Sequence, residues 1–194
     1  MRMDPFAWVA HTGHGGVVGI LLEGEGVDFA GHDMHCRISI MLATLIGQGG
    51  VVWILIEREG VDLNGSGICS DTAALFAARM GHEGVVQLLL ECENVRPDIS
   101  VTLSRTPLMR AVRNGHVRGV GKLLGEKDVG HGECDRQSQT ALMFAVNEGH
   151  LEVVHLLRGS GDIDPDTSDN TGRTPLPSAT QSQHPETARP LQAY

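Results

Sequence analysis

Residues 140–157 read Thr140-Ala141-Leu142-Met143-Phe144-Ala145-Val146-Asn147-Glu148-Gly149-His150-Leu151-Glu152-Val153-Val154-His155-Leu156-Leu157. Leu142, Ala145 and Val146 stand at i, i+3 and i+4, the spacing of one helix face. Val153, Val154 and Leu157 make a second such face. Between them Gly149 suits a turn, because glycine takes the positive φ that closes a helix. Thr140 stands where an N-cap hydroxyl would accept a first-turn N–H. The stretch predicts two short antiparallel helices joined at Gly149.

Outward from it, the same pattern recurs every 34 residues, at Gly13, Gly47, Gly81, Gly115 and Gly149. Five residues after each stands Val18, Val52, Val86, Val120 or Val154, and eight after each Leu21, Leu55, Leu89, Leu123 or Leu157. Four before each glycine the residue is small: Val9, Ala43, Ala77, Ala111 and Ala145. Thr72, Thr106, Thr140 and Thr174 share the capping column, and Pro107 follows Thr106 in the first helical turn, where its missing N–H costs nothing. Self-similarity at a fixed period of this length marks a repeat array in which each unit buries its apolar face against the next. Turn-rich stretches such as Gly65-Ser66-Gly67 separate the pairs and predict loops or short hairpins.

Thr106-Pro107-Leu108-Met109-Arg110-Ala111-Val112-Arg113-Asn114-Gly115-His116 and the 140–157 stretch resemble the ankyrin repeat motif. So do Gly81-His82-Glu83-Gly84-Val85-Val86-Gln87-Leu88-Leu89-Leu90 and Asp164-Pro165-Asp166, in the manner of tandem arrays common in fungal multidomain proteins. The motif is most specific from the third repeat onward. It is weaker in the first two, where Ile38-Ser39-Ile40 replaces Thr-Pro-Leu and Gln48 replaces the histidine. The resemblance implies an all-α ankyrin-repeat solenoid of stacked antiparallel helix pairs with short hairpin or loop fingers. It also implies a protein that binds proteins and performs no catalysis.

The array is expected over residues 1–176, in repeats of about 1–33, 34–67, 68–101, 102–135 and 136–168, with a sixth starting at 169. Gln183 replaces the sixth turn glycine and Pro190 falls inside the sixth second helix, where proline costs about 3 kcal/mol. Residues 177–194 are therefore expected to be a degenerate sixth repeat and a disordered tail. Neither end carries an evident polar cap, which repeat arrays need. The alternative reading of the chain is a truncated or detached ligand-sensing repeat region of a larger, NLR-like multidomain protein.

Composition narrows the function. The 194 residues carry a net charge of −9, which argues against nucleic acid and against an anionic membrane surface as partners, since both need a basic footprint. Aromatics are only 4%, so thin layers of Leu, Val and Ala are expected rather than a thick aromatic core. Cys36, Cys69, Cys92 and Cys134 form no CxxC pair and read as free thiols in a reducing compartment. No secretory leader and no membrane-length apolar run is visible. The expectation is a monomer in the cytoplasm, with the nucleus left open.

Candidate chemistry is sparse. His32, His35 and Cys36 are zinc-type ligands, but a tetrahedral site wants four and no second cluster has suitable spacing. The recurrent histidines His14, His82, His116 and His150 read as structural hydrogen-bonding groups, because four equivalent catalytic histidines have no rationale. The glycine runs match no phosphate-loop motif. Glu57, Glu91 and their counterparts read as a solvated acidic edge. No catalytic residue, metal or cofactor is expected.

What varies between repeats is the surface that the ankyrin resemblance assigns to partner binding, namely the last positions of the first helix and the finger tips. Those residues are Leu45, Ile46, Arg79, Met80, Leu103, Arg105, Arg113, Asn114, Arg136, Gln137, Asn147, Glu148 and Arg173. Two features are expected there: a row of guanidinium groups, a type enriched in interface hot spots, and an exposed apolar patch at Leu45 and Ile46 with Met80 beyond. Trp53 is expected on the outer face of the second repeat.

Overall fold

A computed structural model describes residues 14, 16–17, 20, 34–58, 62–65, 71–96, 104–127, 129–181 and 184–192, with the side chains of 34–39 outside the description. The described residues hold α-helices, one short 3-10 helix and a single isolated antiparallel bridge, Cys134 with Thr140, and no strand. The chain divides into two compact halves, residues 1–96 and 97–194.

In the N-terminal half, α1 (Met34–Leu45) packs on α2 (Gly49–Ile56) and α3 (Ala73–Met80), and α4 (Glu83–Leu90) packs on α2 and α3. In the C-terminal half, α5 (Pro107–Arg113) pairs with α6 (Val117–Gly125) and stacks on α7 (Ala141–Asn147). Helix α8 (Leu151–Gly159) pairs with α7 and stacks on α6. Each half is thus two layers: first helices stack on first helices, second on second.

The repeated columns build these layers. Val52, Val86, Val120 and Val154 are buried, as are Leu55, Leu89, Leu123 and Leu157, each worth about 1.5–3 kcal/mol on removal from water. Ala43, Ala77, Ala111, Ala145 and Ala179 are fully buried. The turn glycines Gly47, Gly81, Gly115 and Gly149 have φ of 75°, 75°, 71° and 78°. The hydroxyls of Thr72, Thr106 and Thr140 accept the backbone N–H of Leu75, Met109 and Met143 at 3.3, 3.3 and 3.4 Å, satisfying one orphan donor at each helix start.

Histidine ties successive repeats. His82 Nε2 lies 2.9 Å from the carbonyl oxygen of Leu45, and His150 Nε2 lies 3.1 Å from that of Arg113. In both cases the ring lies over the turn glycine of the preceding repeat, Gly47 or Gly115.

The residues beyond 176 differ from the fraying expected of them. Helix α9 (Pro175–Gln181) packs on α7, and a 3-10 turn (Pro185–Ala188) leads into α10 (Arg189–Gln192). His184 covers Gly149 as its counterparts cover theirs, and Thr187 and Ala188 are buried. Pro190 is tolerated because it falls in the first turn of a four-residue helix, where no hydrogen-bond donor is needed. Thr180, Gln181, Glu186, Arg189 and Gln192 are exposed here, as are Pro177 and Pro185.

Candidate interaction surface

The finger of the fifth repeat is built around Asp135. Its Oδ1 accepts the backbone N–H groups of Gln137 and Gln139 at 2.9 and 3.0 Å, and its Oδ2 meets Arg105 Nε at 3.3 Å. The carboxylate is fully buried and the Arg105 side chain is 14% exposed. Asp169 repeats the design one repeat on: its Oδ1 accepts the N–H groups of Thr171 and Arg173 and the Thr171 hydroxyl. Neighbouring fingers are joined, since Asn170 donates its backbone N–H to the Gln137 carbonyl and its amide to the Arg136 carbonyl, each at 3.0 Å. Ser138 Oγ donates to Asn170 Oδ1 at 2.6 Å. The backbone of Arg136 and Gln137 is therefore fixed while their side chains remain exposed.

The hydrogen bonds from Thr171 and from the N–H of Arg173 hold the Asp169 carboxyl below the usual aspartate range, with the Arg173 guanidinium adding to the effect and burial opposing it. A carboxyl lowered by folding stabilises the fold above the unfolded value, and that contribution is lost as pH falls through the folded value. Acidification is accordingly expected to loosen this finger. The check is amide hydrogen exchange at Thr171 and Arg173, which should rise on acidification in the native chain and lose its pH dependence, beyond the intrinsic exchange rate, in Asp169→Asn.

Within each half, most of the arginines expected on this surface are engaged by carboxylates or rings. Arg79 meets Asp71 at 3.4 Å and lies 4.8 Å from the Phe76 ring. Arg105 and Arg113 both lie against Phe144, at 5.2 and 5.8 Å, and Arg113 also meets Glu148 at 3.4 Å. Arg173 meets Asp169 at 3.7 Å and Thr171 Oγ1 at 2.8 Å. Arg136 is exposed and opposes no carboxylate among the described contacts. Asn114 donates its amide to the Arg110 carbonyl at 2.8 Å, while Asn147 and Glu148 are exposed. A cleft of about 250 Å³ lies between the inner helices and fingers of the last two repeats, with Gln139, Asn147, Arg173 and Gln181 on its walls.

The expected apolar patch is smaller than the sequence suggested. Leu45 and Ile46 are half-buried, because the chain closes there onto the turn that His82 covers. Met80 is 44% exposed, and Trp53 is 54% exposed on α2. Leu103, His32 and Cys69 lie outside the described residues, as do the side chains of His35 and Cys36, so the zinc reading falls there too. Among the described residues no cluster of three or more metal-type ligands forms. Burial, with Glu57 and Glu91 adding to it, pushes the Cys92 thiol up, and its Sγ donates to the Leu88 carbonyl at 3.1 Å.

This arrangement, rigid helix pairs carrying a variable row of side chains, matches known proteins. The family model for ankyrin repeats (3 copies) matches residues 40–132 and 120–194. The chain belongs to the ankyrin repeat family. The crystal structure of an ankyrin repeat domain from Acinetobacter baumannii AYE superposes with a TM-score of 0.84 at 23% identity, covering 96% of this chain and 95% of that one. No curated protein matches the sequence. Ankyrin repeats are protein–protein interaction modules and typically non-enzymatic. No helix among the described residues of this ankyrin array is long and apolar enough to cross a membrane.

Sequence reasoning had not singled out Asp135 or Asp169 as the centres of the fingers. The available signal was the Asp135–Asp169 spacing of one repeat, each followed three residues later by a positive-φ position, Ser138 or Gly172.

Proposed function

We propose that this ankyrin array is a non-catalytic scaffold that binds a protein partner through the first-helix ends and finger tips, as a monomer in the cytoplasm. The observation that carries the reading is the contrast between fixed backbone and open side chains at Arg136, Gln137 and Asn147, with Arg173 held beside them by Asp169 and Thr171. Each stands on an element locked by the finger hydrogen bonds or by the buried columns. Little conformational freedom is left to lose there on binding, which is where affinity is usually spent. Arg113, Asn114 and Glu148 belong to the same surface of the C-terminal half; Leu45, Ile46, Arg79 and Met80 hold the matching repeat positions of the N-terminal half, and Leu103 lies outside the described residues. Arg105 serves as its support, held against Asp135 and Phe144.

The test is affinity capture from the native extract followed by a binding titration of the recovered protein. Arg136→Glu combined with Asn147→Ala should weaken binding at least about tenfold, roughly 1.4 kcal/mol. The melting temperature should move by no more than about 2 °C, as for exposed substitutions. Full affinity in that double variant, with binding lost instead in Trp53→Ser on the outer face, would overturn the assignment.

A further inference from the structure

Away from the groove and finger tips, a cleft of about 430 Å³ opens beside the end of α6, lined by Leu124, Glu126, Lys127, Val129, His131 and Asp162. His131 is its unusual member. Its side chain is only 10% exposed, Nδ1 lies 3.2 Å from Asp162 Oδ2, and Nε2 is buried with no hydrogen-bond partner in the protein. The repeat does not require a histidine here: the same column holds Phe29, Leu63, Pro97 and Pro165 in the other repeats.

The chemistry of the missing partner follows from the tautomer. A carboxylate only accepts hydrogen bonds, so the contact with Asp162 holds a proton on Nδ1, and in the neutral ring Nε2 then presents a lone pair. The neutral ring is therefore completed by a donor. Charge then selects among donors. Glu126 and Asp162 outnumber Lys127, Glu133 folds against Gly130 beside them, and the chain as a whole is acidic. We propose that this cleft binds the primary ammonium of a lysine side chain, donating to His131 Nε2, with its alkyl stem along Leu124 and Val129. The site is separate from the groove and stands or falls independently of it.

The test uses the full chain uniformly labelled with nitrogen-15, near neutral pH, titrated with N-acetyl-lysine amide. N-acetyl-norleucine amide and sodium acetate are the controls. The lysine probe should move the His131 Nε2 resonance saturably toward that of a hydrogen-bonded acceptor, and the norleucine probe should leave it in place. Asp162→Asn, at an exposed side chain, should weaken the response about tenfold or more by releasing the tautomer. His131→Leu, which copies Leu63, should abolish the probe-dependent shifts of the Leu124 and Lys127 amides. A response equal for norleucine, a response to acetate alone, or none to any probe would overturn the proposal. The comparison of probes on the native chain decides this even if a variant fails to fold.

Discussion

Asp135→Ala is expected to destabilise the C-terminal half by about 3 kcal/mol, at the lower end of what breaking a buried ion pair costs. The carboxylate serves three groups at once, the N–H donors of Gln137 and Gln139 and the Arg105 guanidinium. Alanine removes all three bonds and leaves Arg105 charged in a site where only 14% of its side chain reaches solvent. The two N–H groups lose about 1 kcal/mol each, less where water reaches exposed Gln137. Asp135→Asn should cost less, about 1–2 kcal/mol, because its Oδ1 still accepts both N–H bonds while its amide faces the guanidinium donor to donor. Denaturant titration followed by circular dichroism measures the difference. Hydrogen exchange should place the loss at Gln137 and Gln139 first. Equal cost for Ala and Asn would show that the ion pair dominates and the finger hydrogen bonds do not.

That interaction also marks where the sequence stops being legible. The packing columns could be read directly, because a stacked repeat needs the same volume at the same place every 34 residues: Leu55, Leu89, Leu123 and Leu157 are buried alike. The threonine caps could be read for the same reason, since each acts within its own first turn. The Arg105–Asp135 pair could not, because its partners stand 30 residues apart and meet only once the finger has folded over the preceding repeat. Single-residue rules thus placed Arg105 and Arg113 on the binding surface but said nothing of Phe144, against which both lie. Leu45 and Ile46 were read as an exposed apolar patch, while their burial is set by the turn they enter. Pro190 was read as a helix breaker, which holds for a long helix and not for one of four residues.

Gly115→Val is expected to cost about 3 kcal/mol, and its size comes from two separable terms. The backbone term arises because φ is 71°, where a β-branched residue costs about 2 kcal/mol or more. The second arises because a Cβ at this position would lie 2.8 Å from His150 Cε1, so the imidazole must leave. With it goes the bond from His150 to the Arg113 carbonyl, worth about 1 kcal/mol. Glycine is therefore required here twice over, by its own backbone and by the next repeat's histidine. A double-mutant cycle separates the terms. In a His150→Ala background the ring is already gone, so Gly115→Val should cost about 1 kcal/mol less than in the native chain. Thermal melts of the four proteins supply the cycle, and Gly115→Asn gives an independent reading, because asparagine accepts positive φ more readily than valine yet still displaces the ring. Its cost should track the loss of the His150 bond and vanish to within a few tenths of a kcal/mol once His150 is alanine. If Asn and Val cost the same in both backgrounds, the histidine contact contributes nothing and the left-handed backbone alone explains the glycine column.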